Sequence, residues 1–345
     1  MNSVVLAELV DQPLPGLALP VGLRARRLAN TQQLSREEWL AVRRRGIGGS
    51  DAAAAVGLNP YKSALELWLE KTGRVVELET PDRDASDSPL YWGTVLEAVV
   101  AERYAQQTGR KVRRVNAVLQ HPVYRWMLAN LDREVVGCDE VQILECKTAG
   151  IHGAKFWKDG VPEYVQLQVQ HQLAVTGKQA ADVAVLIGGQ DFQIHRIVRD
   201  EELIAQLIAL EQEFWSQVEE DIPPSPDGSE SADNALAALF PQDSGETVDA
   251  REDEALNLAL ARLVGLQAQL DELMQEDAEI RQRFKARMGE ATTLRLLHGE
   301  IRWKQAKDSQ SLDTKALQAT HPDLVSQFRI TRPGSRRFTF RVTSD

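Results

Sequence analysis

The order of strand-like and helix-like segments between residues 90 and 220 is the feature that most constrains the fold. A helical stretch is followed by three short β-branched runs, a second helical stretch, two more runs that meet at Gly188–Gly189, and a third helical stretch. Short β-branched runs bounded by turn residues indicate strands, and their alternation with helices indicates a sheet with helices packed on it. We therefore predict an α/β fold with a mixed central sheet and helices on its faces.

Upstream of this region, local patterns predict three short helices. Ser35 with Glu38, and Ser63 with Glu66, have the spacing of capping boxes, in which a serine begins a helix and a glutamate three residues later completes the cap. Between them, the glycines of RRRGIGGSDAAAAVG break the chain before a helix of small residues. We predict that Ser50 is the N-cap of that helix.

Composition divides the chain into four parts. The Pro-rich start predicts an N-terminal arm over residues 1–34, followed by a core domain over 35–222. The segment PPSPDGSESADN predicts a linker, which we extend over residues 223–249, and the acidic stretch 77–89 predicts a loop. The remainder, 250–345, is predicted to form a separate C-terminal region.

The C-terminal region begins with a long helical pattern over 251–288. Its apolar residues have nearly heptad spacing and indicate an antiparallel hairpin or an oligomer helix, although Asp277 interrupts the seam. The apolar residues are Leu256, Leu260, Leu263, Leu266, Leu270, Leu273, Ile280 and Phe284. After Thr292, the strand-like segments TTLRLLHGEIRWKQ and RRFTFRV flank a short helical one, which predicts a small α+β appendage.

Charge and cysteine content restrict the classes of function. The net charge of −11 argues against a nucleic-acid partner, but arginines and lysines are concentrated in 24–45 and 103–125, so locally basic surfaces remain. Such clusters are more often solvated faces. Cys138 and Cys146 are the two cysteines, too few for a four-cysteine zinc or iron–sulfur site. Because there is no apolar run of ~20 residues and no secretory signal pattern, we expect a cytoplasmic protein with no membrane partner.

The segment ILECKTA carries the strongest chemical signal. Glu145 and Lys147 are two residues apart on a predicted strand, so their side chains project from the same face. Asp132 ends the strand MLANLD, and a hairpin between the two strands would bring its carboxylate beside Glu145. Two such carboxylates form an oxygen site suited to Mg²⁺ or Mn²⁺. An isolated E-x-K is usually a surface ion pair, but here Lys147 is suited to orient water and offset phosphate charge.

Further residues strengthen this interpretation. Glu97 lies off the apolar stripe of its predicted helix and could supply another metal ligand. Gln168 and Gln170 follow the E-x-K strand in the next helix and offer amide groups toward the same end of the sheet. Arg43 and Ser50 bracket the glycine turn at a predicted helix N-terminus, which is suited to bind a DNA phosphate.

Taken in order, these motifs resemble those of the YqaJ-type viral recombinases, phage-type PD-(D/E)xK nucleases related to lambda-type exonuclease. The resemblance covers roughly residues 35–220. The motifs are W-x-x-x-R-x-x-x-I-G-G-S-D, NPYKSALELWLEKTG, WGTVLEAVVAERY, ANLDREV with ILECKTA, and YVQLQVQHQL. The resemblance implies that residues 35–222 form a nuclease domain with a three-layer α/β/α core.

The resemblance also implies roles for single residues. Asp132, Glu145 and Lys147 match the catalytic motif, and Glu97 together with the backbone carbonyl of Cys146 would add ligands to a Mg²⁺ ion that Mn²⁺ could replace. The sequence departs from the nominal motif at two positions.

Leu131 replaces the proline that precedes the aspartate, and Arg133 stands where a glycine often follows it. Gln168 matches a glutamine that faces the site. Arg43 and Ser50 match the pair that grips a 5′-phosphate, although Arg44 or Arg45 could serve in place of Arg43.

We therefore expect a Mg²⁺-dependent nuclease that degrades double-stranded DNA from an end, from 5′ to 3′. It would leave single strands for a single-strand annealing partner in a phage or prophage recombination system, and a homotrimer or homotetramer is expected. One alternative is an endonuclease or flap nuclease on the same fold. Another is a non-catalytic DNA-binding recombination scaffold, against which the presence of Glu145 and Lys147 on one strand face argues.

Overall fold

A computed structural model describes residues 24–74, 88–331 and 334–341 of the chain. Contacts between residues divide the chain after Pro241 into two units, which are described separately below. Residues 1–23 of the predicted N-terminal arm lie outside the described residues, as does most of the predicted loop 77–89.

Eight strands form two sheets in the described part of the first unit. The larger is a five-stranded sheet of order β2-β5-β6-β7-β8, and the smaller has the order β1-β3-β4. In the larger sheet, β6 and β7 are parallel while the other neighbouring pairs are antiparallel, which confirms the predicted mixed sheet. The strands are β1 (Arg26–Ala29), β2 (Lys111–Arg114), β3 (Val118–Gln120), β4 (Leu128–Ala129), β5 (Arg133–Val136), β6 (Ile143–Ala149), β7 (Ala180–Ile187) and β8 (Asp191–Val198).

Seven α-helices of the first unit lie in the described ranges. The two predicted serine caps are confirmed, because the hydroxyls of Ser35 and Ser63 each accept a hydrogen bond from the backbone N–H three residues later. The helices are α1 (Arg36–Arg43), α2 (Gly49–Ala55), α3 (Ala64–Lys71), α4 (Pro89–Thr108), α5 (Glu163–Thr176), α6 (Glu201–Glu219) and α7 (Glu230–Leu239).

Ser50 does not begin its helix, contrary to the prediction. The N-cap of α2 is Gly48 in an extended conformation, and the carboxylate of Asp51 accepts a hydrogen bond from the Gly48 N–H at 3.1 Å. Ser50 therefore lies inside the first turn, where its hydroxyl accepts a hydrogen bond from Arg43 at 3.0 Å. The helix begins two residues earlier than the serine pattern indicates, because the Asp51 carboxylate accepts the hydrogen bond of the Gly48 N–H group.

Helices cover both faces of the larger sheet. On one face, Val165 and Val169 of α5 pack in the same cluster as Ile143. On the other face, Tyr104 of α4 packs with Leu144. Because side chains alternate along a strand, Glu145 and Lys147 share the face of Ile143 and point toward α5.

The predicted linker 223–249 contains a packed helix. Apolar residues of α7, including the buried Ala235, belong to a cluster that also contains Leu67 of α3. The Ser231 hydroxyl accepts a hydrogen bond from the Ser63 N–H at 2.8 Å. The part of the predicted linker that forms α7 therefore belongs to the first unit. Residues 223–228, which precede this helix, have the composition of a linker.

Within its described residues, the second unit contains one long helix, one hairpin and two short helices. The elements are α8 (Glu254–Met288), β9 (Thr293–Leu296), β10 (Gly299–Arg302), α9 (Thr314–Thr320) and α10 (Pro322–Gln327). No strand is found in 334–341, the described part around the predicted RRFTFRV strand, where Phe338 is exposed and no partner strand is present. Over the described ranges, none of the helices is both long and apolar enough to cross a membrane.

Candidate active site

The register of β5 and β6 places Asp132 beside Glu145. Arg133 pairs with Leu144 in this antiparallel ladder, so the residue before Arg133 is aligned with the residue after Leu144. The carboxylate of Asp132 accepts a hydrogen bond from the backbone N–H of Cys146 at 2.9 Å, in the place where a further ladder bond would form. The structure thus brings together the two carboxylates that the sequence predicts as a pair.

Three hydrogen-bonding contacts hold the Glu145 carboxylate, which is 3% exposed as a residue. Its Oε1 lies 2.9 Å from Nζ of Lys147 and accepts a hydrogen bond from the amide of Gln168 at 2.5 Å. Its Oε2 accepts a hydrogen bond from the amide of Gln172 at 2.9 Å. Lys147 in turn donates to Oε1 of Gln168 at 2.8 Å, which closes a ring of three side chains. The carboxylate and the ammonium are therefore held in one orientation.

The electrostatic environment of the two carboxylates, Asp132 and Glu145, favours a bound cation. Burial and the negative charge of Glu145 raise the pKa of Asp132 to about 8, despite the opposing effects of the Cys146 N–H and Lys147. Burial alone would lower the pKa of Lys147, but the charge and hydrogen bond of Glu145, together with the charge of Asp132, outweigh burial and raise it. The site therefore holds a protonated lysine beside two carboxylates that repel each other when both are ionised.

Glu97 reaches this site through Arg133. Its carboxylate contacts Nη1 of Arg133 at 2.5 Å, and the same nitrogen donates to the backbone carbonyl of Asp132 at 2.7 Å. Arg133, which departs from the nominal motif, thus links Glu97 on α4 to Asp132. In this arrangement the Glu97 carboxylate is engaged by the Arg133 guanidinium.

Gln168 and Gln172, and not Gln170, face the site. The amide of Gln170 donates to the carbonyl of Val198 at 2.8 Å, and its oxygen accepts from the N–H of Asp200 at 3.1 Å. A residue two positions along a helix points to the other side, whereas a residue four positions along returns to the same face. Gln170 therefore ties α5 to the start of α6. The spacing from Gln168 is the signal that could have identified Gln172.

Arg43 and Ser50 meet over a buried carboxylate. One Arg43 nitrogen donates to Ser50 Oγ at 3.0 Å and to Asp51 Oδ1 at 2.6 Å, while Lys71 contacts Asp51 Oδ2 at 2.7 Å. Burial would raise the pKa of Asp51, but the charges of Arg43 and Lys71 hold it well below its ordinary value. The Arg43 guanidinium also lies over the Trp39 ring at 4.9 Å. With two cations and one anion, this cluster carries excess positive charge beside an exposed serine.

The Arg43 cluster adjoins the carboxylate site. Gly49, the first residue of α2, packs so closely on α5 that an added Cβ would lie 3.1 Å from Cγ of Gln172 and 3.4 Å from Cγ of Gln168. The glycine therefore permits the helix N-terminus to approach the two amides that hold Glu145. Arg44 and Arg45, the other candidates for phosphate binding, are exposed in the turn that follows α1.

The donor set suits a hard divalent cation. Among the described residues, no group of three or more His, Cys, Asp or Glu side chains is arranged to hold a metal. Mg²⁺ needs fewer, because it binds through one or two carboxylates and completes its shell with water and substrate phosphate. Asp132 and Glu145 could supply those carboxylates. The N–H and C=O of one residue share a strand edge, so the carbonyl of Cys146 lies on the Asp132 side.

Comparisons with known proteins identify a family and several similar proteins. The YqaJ-like viral recombinase domain matches residues 38–179. The uncharacterized protein YqaJ of Bacillus subtilis is 37% identical over 331 residues, which cover 93% of this chain and 99% of the relative. Protein D345L of African swine fever virus is 33% identical over 82 residues, or 23% of this chain and 22% of that protein.

Among solved structures, an alkaline exonuclease (LHK-Exo) from Laribacter hongkongensis is 24% identical with a TM-score of 0.45, and covers 59% of this chain and 100% of its own. Its complex with dAMP is 26% identical with a TM-score of 0.44, over 54% of this chain and 94% of its own. A phage related exonuclease from Haemophilus somnus 129PT is 14% identical with a TM-score of 0.33, over 51% of this chain and 96% of its own.

Proposed function

The chain belongs to the YqaJ-like viral recombinase family, and from the geometry of its site we propose that it is a metal-dependent DNA nuclease. The mixed sheet and the family confirm the predicted PD-(D/E)xK fold class. The proposal is carried by one observation: Asp132 and Glu145 meet across two strands in a buried site, and Lys147 is bonded to Glu145 on the same strand face.

Asp132, Glu145 and the carbonyl of Cys146 would hold Mg²⁺, and Mn²⁺ prefers the same ligands. When bound, such a cation supplies positive charge to the scissile phosphate and acidifies water. It would also offset the repulsion between the two carboxylates. Glu97 would orient the backbone at Asp132, because it binds the Arg133 nitrogen that donates to the Asp132 carbonyl.

The protein's own contribution is a set of fixed charges. Lys147 is protonated and is held by both Glu145 and Gln168, so its ammonium lies ready to stabilise the charge that develops on a phosphate. Gln168 orients both of its partners by donating to one and accepting from the other. Preorganised groups of this kind stabilise a transition state without having to move during the reaction.

We further propose that the enzyme degrades duplex DNA from a 5′ end. The excess positive charge at Arg43 and the hydroxyl of Ser50 suit a terminal phosphate, and Gly49 joins this cluster directly to the carboxylate site. Removal of nucleotides from a 5′ end leaves the other strand single, which fits a single-strand annealing partner. A homotrimer or homotetramer would keep such an enzyme on its DNA.

The test uses two DNAs with Mg²⁺ and the full-length protein. One is a linear duplex with 5′-phosphates, and the other is a covalently closed circle. Lys147→Ala serves as the control, with its thermal unfolding midpoint measured to verify folding. Consumption of the linear duplex alone by the wild-type protein supports the exonuclease, provided that Lys147→Ala is folded and inactive.

The other outcomes identify the alternatives. Cleavage of the circle would make the protein an endonuclease on the same fold. Persistence of both DNAs would favour a non-catalytic recombination scaffold. Cleavage by Lys147→Ala at the wild-type rate would overturn the assignment of the site.

A further inference from the structure

The long helix α8 carries an apolar seam that the proposed function does not use. Its residues recur at alternating intervals of three and four, which is the heptad spacing by which one helix packs against another. From Leu256 to Ile280 this seam spans about three and a half heptads and roughly 36 Å of helix. The seam positions are Leu256, Ala259, Leu263, Leu266, Leu270, Leu273, Asp277 and Ile280.

Most of the seam is exposed to solvent. Leu256, Leu270 and Leu273 are 57%, 53% and 60% exposed, and Leu266 is exposed as well. The C-terminal end of the same helix differs, because Met288 is buried there. An exposed apolar stripe that continues over several helical turns indicates an interface with another protein surface.

Asp277 restricts the direction in which a second copy of α8 can pair with the first. In a parallel pair each seam position faces the same position of the other helix, so two Asp277 carboxylates would meet and repel each other. In an antiparallel pair centred at Ala268, Asp277 would instead face Ala259. That small side chain leaves space for the ion pair that Asp277 forms with Arg281 at 2.6 Å. The antiparallel direction is therefore favoured.

The same antiparallel register brings the apolar seam residues together. An antiparallel pair of identical helices has twofold symmetry, so each contact is formed twice. Leucine and isoleucine would then be buried against leucine and isoleucine along the seam. The facing pairs are Leu266 with Leu270, Leu263 with Leu273, and Leu256 with Ile280.

Charged residues beside the seam are complementary in this register. Arg262 would lie beside Glu276 of the second copy, and both residues are exposed. Asp253, the N-cap of the helix, would lie beside Arg281 of the second copy. In a parallel pair, Arg262 would lie beside Gln267, which carries no charge. Residues that flank a seam set the orientation of a helix pair, and here they favour the antiparallel one.

We propose that the seam of α8 binds α8 of a second copy of this chain in antiparallel order. Such a pair joins copies two at a time. An even-numbered assembly such as the proposed homotetramer would cover every seam, whereas an isolated homotrimer would leave one uncovered. The proposal is independent of the nuclease function, because it rests on the helix alone.

The test measures the mass of the purified full-length protein by sedimentation velocity at micromolar concentration, without DNA or Mg²⁺. Leu273→Asp places a carboxylate opposite Leu263 at two sites of the pair. The mass of the assembly should therefore fall by half, with a rise of at least about 100-fold in the dissociation constant. Leu258→Asp is the matched control, because Leu258 is 73% exposed on the same helix but lies outside the seam. It should keep the wild-type mass, and circular dichroism verifies the helix content of both variants.

A charge exchange tests the direction of pairing. Arg262→Glu should weaken the pair roughly 5–50-fold, because the new carboxylate would lie beside Glu276 at two sites. Glu276→Arg should weaken it similarly, and the combination Arg262→Glu/Glu276→Arg should restore the wild-type dissociation constant. In a parallel pair, Arg262→Glu would have little effect and the combination would restore nothing.

Equal masses for the wild type and Leu273→Asp would overturn the proposal and leave the seam to a different protein. An equal loss of mass in Leu258→Asp would also overturn it, because association would then not depend on the seam. Failure of the combined charge exchange to restore association would overturn the antiparallel direction. None of these measurements involves DNA cleavage, so they stand whether or not the protein is a nuclease.

Discussion

The amide of Gln172 donates a hydrogen bond to Oε2 of Glu145 at 2.9 Å, while Gln168, one helical turn earlier, binds Oε1 of the same carboxylate. Two glutamines four residues apart thus hold the two oxygens of one side chain from a single helix face. Gln172 also lies 3.2 Å from the carbonyl of Asn130, which adjoins the segment leading to Asp132. The amide of Gln172 therefore connects α5 both to β6 and to the segment that leads into β5.

Gln172→Leu should lower both stability and activity. The change leaves Glu145 Oε2 and the Asn130 carbonyl without this donor in a buried position, so the free energy of unfolding should fall by about 1–3 kcal/mol. Loss of a group that orients a catalytic carboxylate should lower the cleavage rate by roughly 10–100-fold. Urea denaturation and initial rates on linear duplex DNA measure the two effects.

Gln170→Leu is the matched control, because Gln170 is also buried on α5 but is bonded to Val198 and Asp200. It should lose stability while retaining most of the activity of its folded fraction. Equal loss of activity in both variants would show that Gln172 acts only through folding.

Asp132→Asn should raise the stability of the metal-free protein but abolish DNA cleavage. In the metal-free protein above the Asp132 pKa of about 8, two buried carboxylates repel each other, and asparagine removes one charge while keeping an oxygen for the Cys146 N–H. The variant should therefore melt at a higher temperature than the wild type under these conditions. It should not cleave DNA, and Mg²⁺ should no longer raise its melting temperature. A metal-induced rise equal to that of the wild type would remove Asp132 from the metal site.

The pairing of Asp132 with Glu145 was predictable because a hairpin and the alternation of side chains along a strand are local rules. The serine caps at Ser35 and Ser63 follow from local rules as well. The distinction between Gln170 and Gln172 follows only in part: helical spacing groups Gln172 with Gln168, but the packing of α5 on the sheet decides that this face of the helix is the one turned to Glu145.

Tertiary contacts also account for the remaining differences. Asp51 and Lys71 form a buried ion pair across 20 residues of chain, and no local pattern couples them. Arg133 occupies a position at which the nominal motif expects glycine, yet it connects Glu97 to the site. The helix inside the predicted linker forms against α3, and the turn-forming residues of PPSPDGSESADN gave no sign of this contact.

The environment of His121 predicts that the free energy of unfolding decreases at acidic pH. Its Nδ1 accepts hydrogen bonds from the N–H groups of Val123 and Tyr124 at 3.2 and 2.9 Å, which requires that nitrogen to be unprotonated. Burial, with smaller effects from His171 and Arg199, lowers the His121 pKa from 6.5 to about 4. The unfolded chain therefore takes up a proton before the folded one does. As the pH is lowered from 6.5 to about 4, protonation of His121 in the unfolded chain should reduce the free energy of unfolding by roughly 3 kcal/mol.

His121→Asn, whose side-chain oxygen can accept the same hydrogen bonds, should flatten this part of the stability curve. Denaturant titrations at a series of pH values measure the slope. His152→Asn, at an exposed histidine, controls for the loss of one imidazole. An unchanged slope in His121→Asn would show that other groups dominate the acid response.

Arg43 and Arg45 differ in what surrounds them, and this difference predicts which one recognises a 5′-phosphate. Arg43→Lys keeps a cation near Asp51, but it loses the planar fork that can contact Ser50, Asp51 and a phosphate together. Its rate on 5′-phosphorylated ends should fall roughly 10–100-fold, with little change on 5′-hydroxyl ends, as measured with the two duplexes in parallel. Arg45→Lys, at an exposed position, should keep the wild-type preference. If instead Arg45→Lys loses the preference and Arg43→Lys keeps it, the phosphate binds at the turn after α1, and the Arg43 cluster serves only to anchor α2 against α3.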